Sequence, residues 1–320
     1  MALTLAQAKV TMQNKIDQFV IDEFRRSSLL LDSLTFDDAV SPGTGGSTLT
    51  YGYTRLLTPS TAGPRAINAE YTANEAKRTK ATTDLKIFGG AFELDRVIQD
   101  TSGSLNEIQF QLQQKVLGAR NYFHYQAING NSTTNALTFD GLSKILTGSD
   151  TEFTSDADLS EITPEVAAQF MEDMDNFLSE LDGRPTMLMG NSKLINKIKS
   201  IARAAGYYSR TENAFGQTVD NYDNIPLVDM GYYWNGTATV PVIPVTTTGT
   251  TDPVSKTDLY AVNLALDGFH GITPQGGVGI RTYLPNLADP GAVKKGEVEM
   301  VAGLALKATR KAAVLRDIII

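Results

Sequence analysis

The sequence predicts an α+β fold that carries an extended two-stranded excursion, and three observations lead there. Residues 104–129 repeat apolar side chains at helical spacing over a long run. Residues 48–85 are threonine-rich, alternate in polarity and hold few large apolar side chains. After Gly206 the chain is mostly short β-type runs separated by turns. At 320 residues it is long for one compact domain and comfortable for two.

Composition removes much chemistry at the outset. The 42% hydrophobic and 20% charged residues are those of an ordinary folded chain. No cysteine is present, which excludes disulfides, thiol catalysis and thiolate metal sites. Two histidines, His124 and His270, leave little for metal binding or acid–base work. The 28 basic against 36 acidic residues give a net charge of −8, which disfavours a dedicated nucleic-acid reader with a broad basic face. No stretch approaches the roughly eighteen apolar residues of a membrane-spanning helix. Met1–Lys9 lacks the basic-then-apolar order of a secretory signal.

Taken in order, Thr4 to about Ser33 reads as an amphipathic helix, with Leu5, Ala8, Met12, Ile16, Phe19, Val20 and Phe24 recurring at three and four. A flexible break, Ser41–Thr48, follows. Such a helix must bury its stripe on the body or on a neighbouring subunit. From Leu49 to Leu57 the pattern alternates, with Leu49, Tyr51, Tyr53 and Arg55 on one side. A turn cluster (Thr58–Pro64) and a polar segment (Arg65–Thr83) come next, then a strand-like run from Leu85 to Ile98 in which Gly89-Gly90 predicts a bulge or a bend. Residues 48–85 thus form a hairpin arm with no core of its own, marginal in isolation.

The strongest helix begins at Ser104-Leu-Asn-Glu107, a capping-box pattern. Leu105, Ile108, Leu112, Val116, Ala119, Phe123 and Ala127 line one face, and Gly130 stands where a C-terminal cap belongs. Its length, roughly 39 Å, is that of a spine. Thr163-Pro164 opens another helix with the stripe Val166, Phe170, Met174, Phe177 and Leu181, stopped by Gly183. A strand at Thr186–Met189 leads into a helix from Asn191 to Ala205, closed by Gly206. Later strands are expected at Ile225–Met230, Thr239–Thr246, Asp258–Leu266, Val278–Leu284, Glu297–Lys307 and Lys311–Ile319, with Asn235-Gly236 as a hairpin turn.

No motif amounts to a catalytic, cofactor or metal site. Gly43–Ser47 lacks the lysine and the strand-to-helix frame of a phosphate loop, and Gln275–Gly279 lacks dinucleotide spacing. Asp150, Glu152, Asp156, Asp158 and Glu161 lack the central glycine and ordered spacing of a calcium loop and read as a solvated connector. Tyr207-Tyr208 and Tyr232-Tyr233-Trp234 are apolar anchors for an interface or a core.

The order of parts resembles that of the tailed-phage major capsid proteins with the Hong Kong 97-like fold, and three stretches carry the resemblance. AINAEYTANEAKRTKATTDLKIFGGAFELDRVIQDT (Ala66–Thr101) is similar to the family's descending E-loop strand entering the peripheral sheet. The spine helix followed by Ala127-Ile-Asn-Gly130 and Phe139-Asp-Gly-Leu142 is the second. RPTMLMGNSKLINKIKSIARAAG (Arg184–Gly206) resembles the axial domain's strand and helix. The resemblance implies an N-terminal arm (1–47), an E-loop (48–85), a peripheral domain (86–145 and 285–320, with spine helix 104–129) and an axial domain (146–284).

It also implies a non-enzymatic shell subunit of the virion, made in the host bacterial cytoplasm and assembling as hexamers and pentamers around packaged double-stranded DNA that it does not read. A portal, a scaffolding protein (expected to be separate, since the arm begins near Met1, unless the chain is numbered after processing) and a decoration protein are the further partners implied; a membrane is not. Expected inter-subunit contacts are Phe19 and Phe24 on the arm, and Arg55, Arg65, Lys77 and Arg78 on the loop. Some members crosslink through a loop lysine, an asparagine and a glutamate; nothing in the spacing of Lys77, Lys80, Asn286 and Glu297 marks them for it. The alternatives are an encapsulin-like shell that encloses a cargo enzyme and, in another class, a surface carbohydrate-binding β protein, which would leave the long helix without a purpose.

Overall fold

The structure, a computed structural model, describes residues 30, 33–40, 46–101, 107–155, 157–206, 208–212, 218–248, 253–274, 280–286 and 290–320. The helix expected over Thr4 to about Ser33, with Phe19 and Phe24, lies almost wholly outside them, as does Ser104 of the capping box.

The described chain runs through strands β1 (Phe36–Ala39), β2 (Thr50–Thr58), β3 (Lys77–Asp84) and β4 (Lys86–Asp95), then helices α1 (Arg96–Thr101) and α2 (Glu107–Asn129). Next come α3 (Leu142–Leu146), β5 (Glu152–Thr154), α4 (Pro164–Ser179), β6 (Met187–Gly190) and α5 (Ser192–Ala205). Strands β7 (Tyr208–Glu212), β8 (Thr218–Tyr222), β9 (Ile225–Asp229), β10 (Tyr232–Trp234), β11 (Thr239–Pro241) and β12 (Val245–Thr248) follow. The chain closes with β13 (Val254–Val262), β14 (Phe269–Pro274), β15 (Ile280–Tyr283), β16 (Val293–Leu306) and β17 (Ala312–Ile319).

Local chemistry accounts for the helix ends. Thr163 Oγ1 accepts from the Val166 amide at 3.3 Å with Pro164 in the first turn, which satisfies an otherwise orphaned donor of α4. Asn191 Oδ1 does the same for the Lys193 amide at 3.0 Å, and Gly206 closes α5 at φ 80°. Gly130 follows α2 for a different reason from the one expected. It is not among the positive-φ glycines, and a Cβ there would stand 2.3 Å from the Phe139 carbonyl oxygen. The glycine permits the 131–141 turn to fold back on the helix end, where the Gly141 amide donates to the Gly130 oxygen at 2.9 Å.

The first sheet is organised around β16. Strand β4 pairs along one edge, residue for residue from Val293↔Asp95 to Ala302↔Lys86, while β14 and β15 share the other edge and β1 runs parallel to β14. Of the bulge or bend expected at Gly89-Gly90, the bulge is therefore absent from this pairing. Gly89 is there because a Cβ would meet the Val298 carbonyl oxygen at 2.0 Å across the ladder. The same run ends earlier than expected, since Ile98 lies in α1, whose Val97 amide is capped by Asp95 Oδ1 at 2.9 Å.

The second sheet runs β5-β17-β13-β6-β9-β8-β7, with β12 also on β13. Its central strands are buried on both faces and so read as continuous apolar runs rather than alternating ones. Leu188, Leu259, Ala261 and Leu315 face α4 and α5, packing with Phe170, Phe177 and Ile198. Met187, Met189, Tyr260 and Val314 face the other way, into a core shared with Phe123 and Ile128 of α2 and with Met300 and Leu304 of β16. That shared core joins the sheets: Phe123 is fully buried and its ring lies 6.0 Å from Phe88 and 5.6 Å from Phe139.

Sheet membership departs from the partition expected. β14 and β15, within the 146–284 block, belong to the first sheet, and β17, within the 285–320 block, is interior to the second. The run expected at Thr239–Thr246 is two strands, β11 and β12, which pair with β10 and β13 respectively.

Candidate assembly interface

β2 and β3 form a separate two-stranded ribbon, paired from Thr50↔Asp84 out to Thr58↔Lys77 with a register shift between Leu56 and Thr58. Side chains alternate across a ribbon, so Tyr51, Tyr53 and Arg55 share one half-buried face while Thr50, Gly52 and Thr54 face solvent. The half-buried face meets the body. Tyr51 Oη donates to Asp37 Oδ2 at 2.6 Å, Tyr53 Oη donates to the Leu306 oxygen at 3.2 Å, and Arg55 Nε donates to the Lys307 oxygen at 3.0 Å. The Arg55 guanidinium also bonds the Leu306 oxygen and lies 5.3 Å from the Tyr53 ring centre. Lys307 Nζ completes the root, 3.4 Å from Asp37 Oδ2 and 5.4 Å from the Tyr51 ring centre.

This root is electrostatically tuned. The Tyr51 hydroxyl holds the Asp37 carboxyl below the ordinary carboxylate range, aided by the Asp38 amide and the Lys307 ammonium. Burial and the bond to Asp37 push the Tyr51 phenol up. Burial pulls the Lys307 ammonium down, but Tyr51 and Asp37 more than offset it and hold it raised. His270 lies beneath, fully buried, edge-on to Tyr51 at 5.9 Å, and burial lowers its pKa. Among the described residues its Nε2 has no hydrogen-bond partner.

Beyond Arg55 the ribbon leaves the body, and every residue from 56 to 80 is exposed. Leu56, Leu57, Ile67 and Tyr71 are among them, Ile67 at 91%. The tip is nonetheless ordered by its own contacts. Arg65 Nη1 donates to the Ala69 oxygen at 3.2 Å and its guanidinium lies 5.4 Å from the Tyr71 ring centre, while Asn74 Nδ2 donates to the Thr61 oxygen at 2.9 Å.

Of the sequence-predicted contact residues, Arg65, Lys77 and Arg78 stand exposed on this excursion. Arg55 differs, because its guanidinium is already engaged by its own chain at the root. Phe19 and Phe24 lie outside the described residues. Asp37, His270 and Lys307 had not been singled out for this place: Asp37 and Lys307 are 270 positions apart, and only the pairing of β1, β14 and β16 brings them under the ribbon. A cavity of about 300 Å³ opens beside the root, lined by Tyr53, Arg55, Asp84, Phe139, Asp140 and Leu306. Elsewhere, Tyr233 stacks on Tyr125 of α2 at 4.8 Å while Tyr232 and Trp234 face outward. His124 is buried against the Met230 oxygen at 3.0 Å, and burial lowers its pKa to about 4. Among the described residues no group of three His, Asp or Glu is placed to hold a metal ion.

A family model, the SU10 major capsid protein, matches residues 28–225. No curated protein matches the chain. Among solved structures, the holo-SrpI encapsulin complex from Synechococcus elongatus is similar at a TM-score of 0.66 and 14% identity, covering 100% of this chain and 97% of that one. The capsid of a native GTA particle is similar at 0.65 and 10%, covering 96% and 95%. The capsid of Myoviridae phage XM1 is similar at 0.62 and 9%, covering 99% of each chain. At these identities the structural likenesses speak for the fold, a Hong Kong 97-like capsid fold spanning nearly the whole chain.

Proposed function

This chain belongs to the SU10 major capsid protein family and is a shell subunit of a tailed-phage head, and from that premise we propose how it assembles. The E-loop, residues 48–85, lies across an adjacent subunit, and hexamers and pentamers built through such contacts close the shell around double-stranded DNA without sequence recognition. The single observation that carries this reading is the exposure of every residue from 56 to 80, Leu56, Leu57, Ile67 and Tyr71 included, on a ribbon with no core of its own.

Within the ribbon the roles divide. Arg55, Tyr51 and Tyr53 fix its departure angle from their own subunit. Arg65, Lys77 and Arg78 meet acidic groups on the neighbour, where partly desolvated charge pairs set register more than affinity. The N-terminal arm, with Phe19 and Phe24, clamps a neighbour. Axial and peripheral domains follow the partition given by the resemblance, except for β14, β15 and β17, whose sheets lie on the other side of it. A net charge of −8 fits a shell that encloses DNA with screening counterions and little direct contact. Scaffolding, portal and decoration proteins are the partners this role requires or accommodates, and no step of it needs catalysis.

The encapsulin reading shares the fold, and family membership favours the phage head over it. A carbohydrate-binding β protein is disfavoured by α2, which forms the spine of the shared core. The test replaces residues 59–76 with a short turn and compares the products with the unaltered chain, with scaffold supplied if needed, by light scattering and negative-stain microscopy. Shells or capsomers from the unaltered chain and folded monomers from the variant are expected. Intact shells from the variant would overturn the proposed role of the E-loop.

A further inference from the structure

The chain contains two Asn-Gly sequences, Asn129-Gly130 at the end of the long helix and Asn235-Gly236 in a hairpin turn. The fold treats them in opposite ways. Asn129 sits at the last turn of α2, half-buried, with Nδ2 donating to the Val242 oxygen at 2.6 Å and to the Tyr125 oxygen at 3.2 Å. The Gly130 amide is held in a hydrogen bond to the Gln126 oxygen at 2.9 Å, and Gly130 is itself buried. Neither the leaving group nor the nucleophile of an intramolecular attack is free to move there.

Asn235 opens the exposed turn between β10 and β11. Its Oδ1 accepts from the Thr237 amide at 2.9 Å and from the Ala238 amide at 2.8 Å, and Gly236 has φ 96°. This arrangement folds the side chain back over the turn, with both bonds made by Oδ1 and neither by Nδ2. Two amides aimed at one carbonyl oxygen also polarise it and stabilise the negative charge that develops when its carbon is attacked, as an oxyanion hole does.

We propose that Asn235 is a site of structure-directed deamidation. The deprotonated Gly236 nitrogen bonds to Asn235 Cγ, the Cγ–Nδ2 bond breaks, and ammonia leaves with the proton, giving a succinimide. Water opens the ring to aspartate or isoaspartate. The aspartate product keeps an acceptor for Thr237 and Ala238 and adds a negative charge. The isoaspartate product lengthens the backbone inside the turn, which disturbs the pairing Trp234↔Thr239 and, next along, Tyr233, whose ring stacks on Tyr125 of α2. The turn is thus a slow chemical clock placed against the helix at the centre of the fold.

The test incubates the intact folded chain, and in parallel the chain in urea, in mildly alkaline buffer at physiological temperature. Peptide mass spectrometry with electron-transfer fragmentation follows the one-mass-unit gain and the isoaspartate at each asparagine. In the folded chain Asn235 is expected to react at least about tenfold faster than Asn129, and no more slowly than Asn235 does in urea. Equal rates at the two sites when folded, or slower reaction at Asn235 when folded than in urea, would overturn the proposal. Asn235→Asp supplies the aspartate product directly; it is expected to fold with the Tyr233–Tyr125 stack intact, read by near-ultraviolet circular dichroism, and loss of that signal would sink the claim that aspartate keeps the turn.

Discussion

Tyr51 Oη donates to Asp37 Oδ2 at 2.6 Å, joining the first strand described in the chain to the root of a ribbon that otherwise leaves the body. The pair does in one bond what a ribbon without a core needs done at its base: it fixes an angle. Tyr53, Arg55 and Lys307 extend the same contact over β16's end.

Tyr51→Phe removes the hydroxyl and leaves the Asp37 carboxylate with one donor fewer. A loss of about 1 kcal/mol is expected, given that the pair is only partly buried. Global melting should shift little, while hydrogen exchange at the Thr50–Tyr53 amides should accelerate. Unchanged exchange there would show that the ribbon root is held without this bond.

Acid should loosen the same root. Because Asp37 titrates below an ordinary carboxylate, its contribution is fully present above the unfolded value of about 3.9 and is lost as pH falls through its lower folded value. Hydrogen exchange of the β2 amides, followed from neutral pH downward, should rise only in that acidic window. Asp37→Asn should abolish the pH dependence and expose the β2 amides at neutral pH.

His124 gives a second, separate pH response. Its folded pKa of about 4 lies below the free value of 6.5, so the unfolded chain binds the proton first. Stability is full above pH 6.5 and declines as pH drops toward 4, by up to about 3 kcal/mol. Urea midpoints measured across that range check the slope, which His124→Gln should flatten while keeping a donor for the Met230 oxygen.

Phe123→Ala should be the most damaging single truncation in the shared core. The side chain is fully buried among Phe36, Phe88 and Phe139, and removing it should cost about 3–5 kcal/mol. A fall in the thermal midpoint, accompanied by loss of near-ultraviolet circular dichroism, is the expected readout.

Arg316 ties α3 to the second sheet, bonding Glu152, Asp258 Oδ2 at 3.1 Å and the Ser143 oxygen at 2.8 Å. Arg316→Met leaves two partly buried carboxylates unpaired and should destabilise by about 3 kcal/mol. Adding Glu152→Gln and Asp258→Asn should recover part of that in urea titrations. No recovery would mean that the guanidinium acts through packing alone.

The elements legible in the sequence are those whose signals are local. Helices α4 and α5 carried an apolar stripe at three and four, and α5 lies within a residue of its expected bounds with Gly206 as its stop; α4 opens at Pro164 as expected but ends at Ser179, capped by Glu180, ahead of the expected stop at Gly183. The ribbon was legible from alternation combined with a lack of apolar side chains. Strand β14 was not: Phe-His-Gly-Ile-Thr-Pro reads as a loop, yet its first five residues are buried between β1 and β16. Strand β1, Phe-Asp-Asp-Ala, was missed for the same reason, since two adjacent aspartates give no alternation until β14 lies beside them.

By itself the sequence determined that cysteine chemistry is excluded, that a long spine helix forms, and that residues 48–85 make a polar two-stranded arm with few large apolar side chains. Composition, period and caps are properties of neighbouring residues, and physics acts on them before the chain folds. Tertiary structure alone decided that Asp37, His270 and Lys307 stand under Tyr51 and that β17 belongs to the second sheet. Each of these depends on strand pairings between segments tens to hundreds of residues apart. Such pairings gain their energy from burial shared between strands, which no single stretch of sequence contains.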